Sequence, residues 1–262
     1  QKDMKKLVAY SSVSHLGLCM LGMFALNPYG LKGSLFQMIN HGISTPGLFL
    51  AVAVVYDRRH TRMIADFGGL SKTMPVYATI FMIMTMSSIG LPLLNGFIGE
   101  GVILMGTFQA YPWAAVVATT GIILGAAYML WMFQRVMFGP ISKVNEEMSD
   151  MNLREVLTFV PLIAAAFWIG LNPTPLMKIM DAPVKKLVNQ VDPTFYQAEA
   201  LAEKQTAAAK RGMQGMEAPA HAEAPRTLWL KYQALQQAAG KPCAPMPDDL
   251  STDLPASLPQ QP

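Results

Sequence analysis

The chain has 262 residues, of which 52% are apolar and only 14% are charged, with a net charge of +3. Average domains carry about 25% charged residues, and the deficit here is concentrated before residue 172, which argues against a soluble globular protein. Nucleic-acid binding is not indicated, because basic and aromatic residues are not interleaved. The two cysteines provide neither a disulfide framework nor the spacing of a metal site.

Long apolar stretches separated by short charged clusters predict a polytopic membrane domain over residues 1–172. Each stretch is near the ~20 residues that cross the hydrocarbon of a bilayer. The predicted spans cover residues 7–26, 31–56, 75–108, 113–138 and 156–171. The chain opens at Gln1 almost at a membrane boundary and without a start methionine, so we expect an upstream segment.

The third predicted span is too long for one straight crossing and contains Pro92 and Gly96. Proline removes a helical hydrogen bond and clashes with the preceding turn, so we expect a helix break here, with two half-helices in one span. The predicted fold class is therefore an all-α membrane helix bundle with one discontinuous helix.

Residues 173–262 form a polar tail of different composition. Residues 176–191 are predicted to form an interfacial amphipathic helix, with Lys178, Lys185 and Lys186 on its polar side. After Lys241 the repeated Pro, Asp and Ser predict a disordered end.

Basic residues predict the orientation of the spans, since cytoplasmic loops carry an excess of Lys and Arg. Such residues precede span one and lie between spans two and three and between spans four and five. The turns at 27–31 and 109–112 carry no charge. Alternation therefore predicts basic loops in the cytoplasm and the tail on the opposite side.

Glu100 is the only formal charge between Lys72 and Arg135. A carboxylate at the centre of a bilayer helix costs about 2.5–3.5 kcal/mol on insertion scales. Desolvation disfavours the charged form, whereas the positive end of the second half-helix favours it. A group balanced in this way suits a proton relay. The alternative is a static carboxylate that binds the free N–H groups of the half-helix.

Two histidines lie in the first two spans. His15 shares a helical face with Ser11 and Ser14, and His41 lies on a polar stripe with Ser34, Gln37 and Ser44. Imidazole titrates near neutrality and can pass a proton between its nitrogens. We predict that His15, His41 and Glu100 form a proton relay. Its predicted supporting residues are Ser11, Ser14, Gln37 and Ser44.

Two other interpretations of these residues stay open. Each histidine can be a hydrogen-bonded packing residue. A His/His/Glu metal site lacks any close ligand spacing, so no metal is predicted. The relay interpretation predicts that the three groups approach one hydrated axis near mid-membrane, because polar groups facing lipid would be unsatisfied. One or two waters can bridge each gap.

Four motifs occur in an order that resembles a known family. They are Asp3–His15, Gln37–Gly42, His60-Thr61-Arg62, and Gly90-Leu91-Pro92 followed by Gly99-Glu100. Over about residues 2–172 the chain resembles the subunit M family of respiratory complex I, the proton-translocating NADH:quinone oxidoreductase, whose mitochondrial counterpart is chain 4.

This resemblance implies the second half of an antiporter-like fold of fourteen helices with two inverted repeats of five. Glu100 would be the terminal acid of the family's proton path, and His15 and His41 its relay histidines. Lys5 and Arg62 match positions at the cytoplasmic boundary. The first half of the fold, with another buried acid and two lysines, has no counterpart in this sequence, and the tail is longer than the family pattern.

The implied function is proton translocation in a bacterial inner membrane, as one subunit of a redox-driven complex. The resemblance implies no catalytic residue and no cofactor in this chain, since NADH, FMN, iron–sulfur clusters and quinone would belong to partner subunits. Neighbouring antiporter-like subunits and lipid are the implied partners. The alternatives are a subunit of a cation/proton antiporter or membrane-bound hydrogenase, and a non-transporting scaffold or assembly protein. The sequence leaves proton stoichiometry, coupling and the choice between proton and sodium open.

Overall fold

The computed structural model describes residues 1–141, 143–191 and 196. In this part of the chain the secondary structure is helical, apart from one isolated bridge between Asp3 and Met63. The predicted all-α membrane bundle is therefore confirmed. The predicted disordered end after Lys241 lies outside the described residues.

Nine helices occur in the described residues, of which α3 and α7 are single turns. They are α1 (Met4–Phe24), α2 (Pro28–Arg59), α3 (Leu70–Thr73), α4 (Pro75–Ser88), α5 (Asn95–Ala110), α6 (Pro112–Met137), α7 (Lys143–Glu146), α8 (Leu153–Leu171) and α9 (Thr174–Val191). Among these, α1, α2, α6 and α8 are each long and apolar enough to cross a membrane. The shorter helices α4 and α5 follow one another where the discontinuous span is predicted.

Capping residues set the starts of three membrane helices, each three residues before the start of the predicted span. Asp3 accepts a hydrogen bond from Lys6 N at 3.1 Å, so Lys5 lies in the first turn of α1 and not before it. Asn27 accepts one from Gly30 N at 2.8 Å and Asn152 one from Glu155 N at 2.9 Å. Side-chain acceptors of this kind satisfy N–H groups that the first turn leaves unpaired, whatever the hydrophobicity of that turn.

The helix break is centred on Gly90 and not on Pro92. Gly90 has a φ of +76°, and Leu91 N donates to Met86 O at 3.0 Å, which together close α4 with a Schellman motif. Pro92 lies in the link that follows, where Leu93 also has a positive φ of 78°. The predicted break is present, but glycine ends the helix before the proline is reached.

Gly96 was predicted as part of the break, but it lies in the first turn of α5. A side chain at this position would collide with the carbonyl oxygen of Ser87 at the end of α4. Gly96 therefore allows the two half-helices to approach each other closely.

Helix α2 lies at the centre of the bundle and packs against α1, α4, α5, α8 and α9. Glycines let the backbones approach: Gly33 of α2 faces the backbone of Ile103, and Gly106 of α5 faces Gly30. Small residues at helix crossings give membrane helices close van der Waals packing, which drives their association where hydrophobic force between helices is absent.

The basic end of the bundle is fixed by an ion pair between α2 and α8. Arg58 donates to both carboxylate oxygens of Glu155 at 2.9 and 2.7 Å, and to Ser149 O at 2.9 Å. The Asp150 carboxylate accepts from Val76 N and Tyr77 N at 2.8 and 3.1 Å, in the first turn of α4. Bidentate arginine pairs are geometrically specific, so Arg58 and Glu155 fix α2 relative to α8. Arg58 also donates to Asp150 O at 3.2 Å, and the Asp150 carboxylate in turn holds the start of the first half-helix.

Helix α9 starts two residues before the predicted interfacial helix and packs on the membrane bundle. Met180, Val184 and Val188 are buried in a cluster with Leu31 and Phe36 of α2. The first compact unit of the chain accordingly extends to Tyr196 and not only to the predicted boundary at residue 172. Asp181 of α9 also forms an ion pair with Lys32 of α2.

We expect Gly170→Ala to destabilise the protein, because a methyl group there would collide with Leu93 O in the helix break and lie 2.6 Å from Leu94 C. Overpacking of this kind costs about 1–3 kcal/mol. Thermal inactivation of the assembled protein in detergent measures the effect. Gly101→Ala is the matched control, since nothing lies within 4 Å of its added carbon. Equal thermal stability of the two variants would contradict the close packing of Gly170 against the helix break.

Candidate proton-transfer site

Side chains from α1 and α2 contact one oxygen of Glu100, the buried residue of α5 that is predicted to carry protons. His15 of α1 places Nδ1 2.9 Å from Glu100 Oε1, and Gln37 of α2 donates to the same oxygen from Nε2 at 3.2 Å. Glu100 itself belongs to α5 and is 4% exposed. The structure thus brings together residues that are 85 and 63 positions apart in the sequence.

The contact between His15 and Glu100 has the geometry of a partly buried ion pair. Their side chains are 13% and 6% exposed. When Glu100 is ionised its carboxylate only accepts hydrogen bonds, and Nδ1 of His15 is then the donor in this contact. A buried charge needs such a partner, and loss of one member leaves the other uncompensated.

The helix dipole contributes less to this site than the sequence predicted. Helix α5 begins at Asn95, which puts Glu100 in its second turn. The dipole effect falls off within the first turn. Direct hydrogen bonds from His15 and Gln37 are therefore the main favourable interactions of the Glu100 carboxylate.

His41 is a neighbour of His15 but not a hydrogen-bond partner among the described residues. The ring centroids lie 5.6 Å apart with the planes tilted by 47°. His41 interacts instead with Thr45 Oγ1, 3.0 Å from Nδ1 and 3.3 Å from Nε2. A proton passing between the two rings needs either a ring rotation or one bridging water.

A small cavity lies beside the His15–Glu100 pair. Its volume is about 10 Å³, and His15, Glu100, Ser14, Ser88 and Tyr128 are among the residues that line it. A cavity of roughly 10–15 Å³ accommodates one water molecule. Ser88 Oγ also lies 3.4 Å from His15 Nε2, so polar groups reach the pair from α4 and α6 as well.

Of the four predicted supporting residues, Gln37 alone contacts the carboxylate in the described structure. Ser14 lines the cavity. Ser11 donates to Val8 O at 2.7 Å, and Ser44 donates to Asn40 O at 3.0 Å, so both hydroxyls bond to their own helices. Their support of a relay stays a prediction.

Lys5 and Arg62 lie at the basic end of the bundle, in a separate groove of about 430 Å³. The Arg62 guanidinium lies 5.4 Å from the centre of the Tyr56 ring, and its Nε is 3.6 Å from Asp3 Oδ2. The described contacts do not connect either side chain to Glu100, and their boundary role stays a prediction.

An amide network behind Glu100 was missed by the sequence analysis. Asn40 Nδ2 donates to Asn95 O at 2.8 Å and to Gln37 Oε1 at 3.3 Å. Asn95 Nδ2 donates to Asn40 O at 3.3 Å, and Ser87 Oγ donates to Asn95 Oδ1 at 2.6 Å. Asn40 lies three residues after Gln37, on the same face of α2, and this spacing was the available signal.

The metal interpretation has no geometric basis in the described part of the chain. No group of three or more His, Cys, Asp or Glu side chains there is arranged to hold an ion. The arrangement of His15, Glu100 and His41 instead suits the transfer of protons between acid and imidazole.

An all-helical membrane bundle with a broken helix and a buried acid–histidine pair defines an antiporter-like membrane protein. Residues 1–125 match the model of the family described as "NADH:quinone oxidoreductase/Mrp antiporter, TM". The likeness to this family therefore lies within the membrane helices of this chain.

Similar proteins and structures extend this match. The chain is 48% identical over 189 residues to NADH-quinone oxidoreductase subunit M of Rhodobacter capsulatus, covering 72% of this chain and 37% of the relative. It is 45% identical over 190 residues to NADH-ubiquinone oxidoreductase chain 4 of Marchantia polymorpha, covering 72% and 38%. This chain therefore spans less than two fifths of the length of these relatives.

Two solved structures share the fold. A chain of respiratory complex I from Thermus thermophilus with bound NADH superposes with a TM-score of 0.66 at 32% identity, covering 72% of this chain and 40% of that one. A chain of the membrane-bound sulfane sulfur reductase, an archaeal respiratory membrane complex, gives 0.64 at 25% identity, covering 68% and 30%.

We expect Gly90→Ala to perturb Glu100, since the added methyl would lie 3.0 Å from Glu100 Oε2. The positive φ adds about 1–2 kcal/mol of strain. The infrared carboxyl band of Glu100, assigned by its loss in Glu100→Gln, should shift. Gly139→Ala is the control, because Gly139 also has a positive φ, of +100°, but has nothing within 4 Å of the added carbon. An unshifted band in Gly90→Ala would disprove this contact.

Proposed function

We propose that this chain is part of the proton-translocating, antiporter-like membrane subunit of a redox-driven NADH:quinone oxidoreductase. The contact between His15 Nδ1 and Glu100 Oε1 at 2.9 Å carries this proposal. It joins a group that titrates near neutrality to a buried acid inside a membrane bundle. The family match and the likeness to subunit M support it.

The proposed transfer uses the pair in two states. With His15 protonated and Glu100 ionised, the two side chains attract each other at close range. Transfer of the proton from Nδ1 to Oε1 leaves both groups neutral, so the electrostatic attraction is lost and the pair is free to separate. A change in the position of the half-helix α5 can then alter the access of Glu100 to its next proton acceptor.

His41 and the small cavity provide the proposed continuation of the path. The His41 ring is close to His15 but needs a bridging water or a rotation, and so it can act as a gated step. On the other side, the cavity between His15, Ser88 and Tyr128 has room for one water that can accept a proton from Glu100.

This proposal also assigns the cofactors, partners and orientation of the chain. The redox reaction takes place in partner subunits, which hold NADH, FMN, iron–sulfur clusters and quinone, and this chain carries protons only. Neighbouring antiporter-like subunits and lipid surround it in a bacterial inner membrane. The basic loops face the cytoplasm and the tail faces the opposite side.

Two other functions are less well supported. A cation/proton antiporter subunit uses the same family fold, and the likeness to a sulfane sulfur reductase chain extends the fold to another respiratory complex. A scaffold or assembly protein has no need for a carboxylate buried against His15 and Gln37, since such a site costs insertion energy without a structural return.

We expect Glu100→Gln to lower proton pumping by about 10²-fold or more, the range that a positioned proton-transfer group contributes. Glutamine keeps the shape of the side chain but cannot exchange a proton. The measurement is NADH-driven proton uptake by proteoliposomes containing the assembled complex with the full-length subunit.

Thr107→Val is the matched control for this experiment. It alters a buried side chain of the same half-helix, and the Thr107 hydroxyl has no hydrogen-bond partner in the described structure. Pumping should be retained in this variant. Normal pumping by an assembled Glu100→Gln complex would refute the relay role of Glu100.

We expect the two ends of the bundle to be accessible from opposite sides of the membrane. Cysteines introduced by Glu147→Cys and Lys178→Cys report the basic loop and α9, respectively. In inverted vesicles, whose cytoplasmic face is outside, an impermeant maleimide should label the first and spare the second. Labelling of the Lys178→Cys variant alone would reverse the proposed orientation.

A further inference from the structure

We propose that Asn40 is a positioning residue that holds the Gln37 carboxamide with its amino group towards Glu100, and so stabilises the ionised form of that acid. The inference rests on the proposed proton-transfer role of Glu100, and it adds a residue outside the predicted relay. All three side chains are buried, with exposed fractions of 1% for Asn40, 3% for Gln37 and 4% for Glu100.

Backbone carbonyls fix the orientation of the amides. Asn40 Nδ2 lies 2.8 Å from the carbonyl oxygen of Asn95, which can only accept, so the amino group of Asn40 must point there. The same amino group is 3.3 Å from the Gln37 side chain, which must therefore present its oxygen to Asn40. The amino group of Gln37 is left to face Glu100 Oε1 at 3.2 Å.

This orientation makes Gln37 a donor to Glu100 and prevents it from accepting. A hydrogen bond donated to the charged form favours that form. A protonated Glu100 cannot donate its proton to Gln37, because the Gln37 amino group that faces it is not an acceptor. Asn40 therefore opposes protonation of Glu100 although the two residues share no hydrogen bond in the described structure.

The orientation that Asn40 imposes on the Gln37 carboxamide depends on the position of the broken helix. Its acceptor, Asn95 O, belongs to the first residue of α5, directly after the break. Asn95 also donates from its side chain to Asn40 O at 3.3 Å. If α5 moves away from α2, Asn40 loses this acceptor, and Gln37 becomes free to turn and accept a hydrogen bond from protonated Glu100. The network thus couples the position of the half-helix to the protonation state of the acid.

Other titratable groups also face Glu100. His15 is its direct partner and His41 lies behind His15. Cys19 of α1 and Tyr128 of α6 are close enough to interact electrostatically with its charge. None of these four side chains hydrogen-bonds to Asn40 in the described structure, so replacing Asn40 changes Glu100 chiefly through Gln37.

The test is infrared spectroscopy of Glu100 in the assembled complex at one pH, with its carboxylate band assigned by loss in Glu100→Gln. Asn40→Leu keeps similar volume and releases Gln37. The carboxylate band of Glu100 should move by the same amount as in Gln37→Leu, because both variants lose the oriented hydrogen bond from Gln37 to Oε1. Asn40→Ala, which leaves the surrounding packing less crowded, should move it in the same direction and replaces Asn40→Leu if that variant does not assemble.

A double-mutant cycle separates positioning from a general structural effect. In a Gln37→Leu background, the Asn40 replacement should cause no further shift. Thr107→Val, whose buried hydroxyl has no described partner, should leave the carboxylate band of Glu100 unchanged. An Asn40 shift that is absent, or that has the same size with and without Gln37, would overturn the proposal. The infrared measurement does not depend on pumping, so this outcome is distinct from failure of the proposed function.

Discussion

The structure depends on the burial of one carboxylate against one imidazole. Glu100 is 4% exposed, and its Oε1 lies 2.9 Å from His15 Nδ1. An isolated charge there would be costly, because the free energy of removing it from water is regained only with a close partner and further hydrogen bonds. Gln37 provides one more hydrogen bond to the same oxygen. The approach of α1, α2 and α5 is therefore a condition for burying this charge.

The remainder of the bundle holds these three helices in place. Gly90 ends α4 in the left-handed conformation, and Gly96 lets α5 start against the end of α4. At the basic end, Arg58 and Glu155 join α2 to α8 through a bidentate pair. Helix ends without such closure would leave unpaired backbone groups, which are tolerated in membranes only beside protein or water. The break is thus supported by packed and hydrogen-bonded helices on both sides, and the proposed change in the position of α5 would occur there.

Much of this architecture was predictable from the sequence because the membrane imposes strong constraints. Apolar length places α1, α2 and α8 to within three residues of their observed starts, and the error arises from side-chain caps such as Asp3. Glu100 stands out in the sequence as a lone charge. Helical spacing also predicts the polar faces of α1 and α2 that carry His15 and Gln37. The pairing of Asn40 with Asn95 was not predictable, since it depends on how α2 packs on α5. The emphasis on Pro92 was misplaced because Gly90 ends the helix first.

Proton exchange between His15 and Glu100 requires that the two side chains share a hydrogen bond, and nitrogen-15 NMR of labelled histidine detects that bond. The signals of the His15 ring, assigned by their loss in His15→Gln, are recorded at one pH in the assembled complex with and without Glu100→Gln. A carboxylate 2.9 Å from Nδ1 is a strong hydrogen-bond partner of that nitrogen. Replacing it with a neutral amide should therefore move the Nδ1 signal of His15. A Nδ1 signal that is the same in both proteins would show that the two side chains do not form this pair.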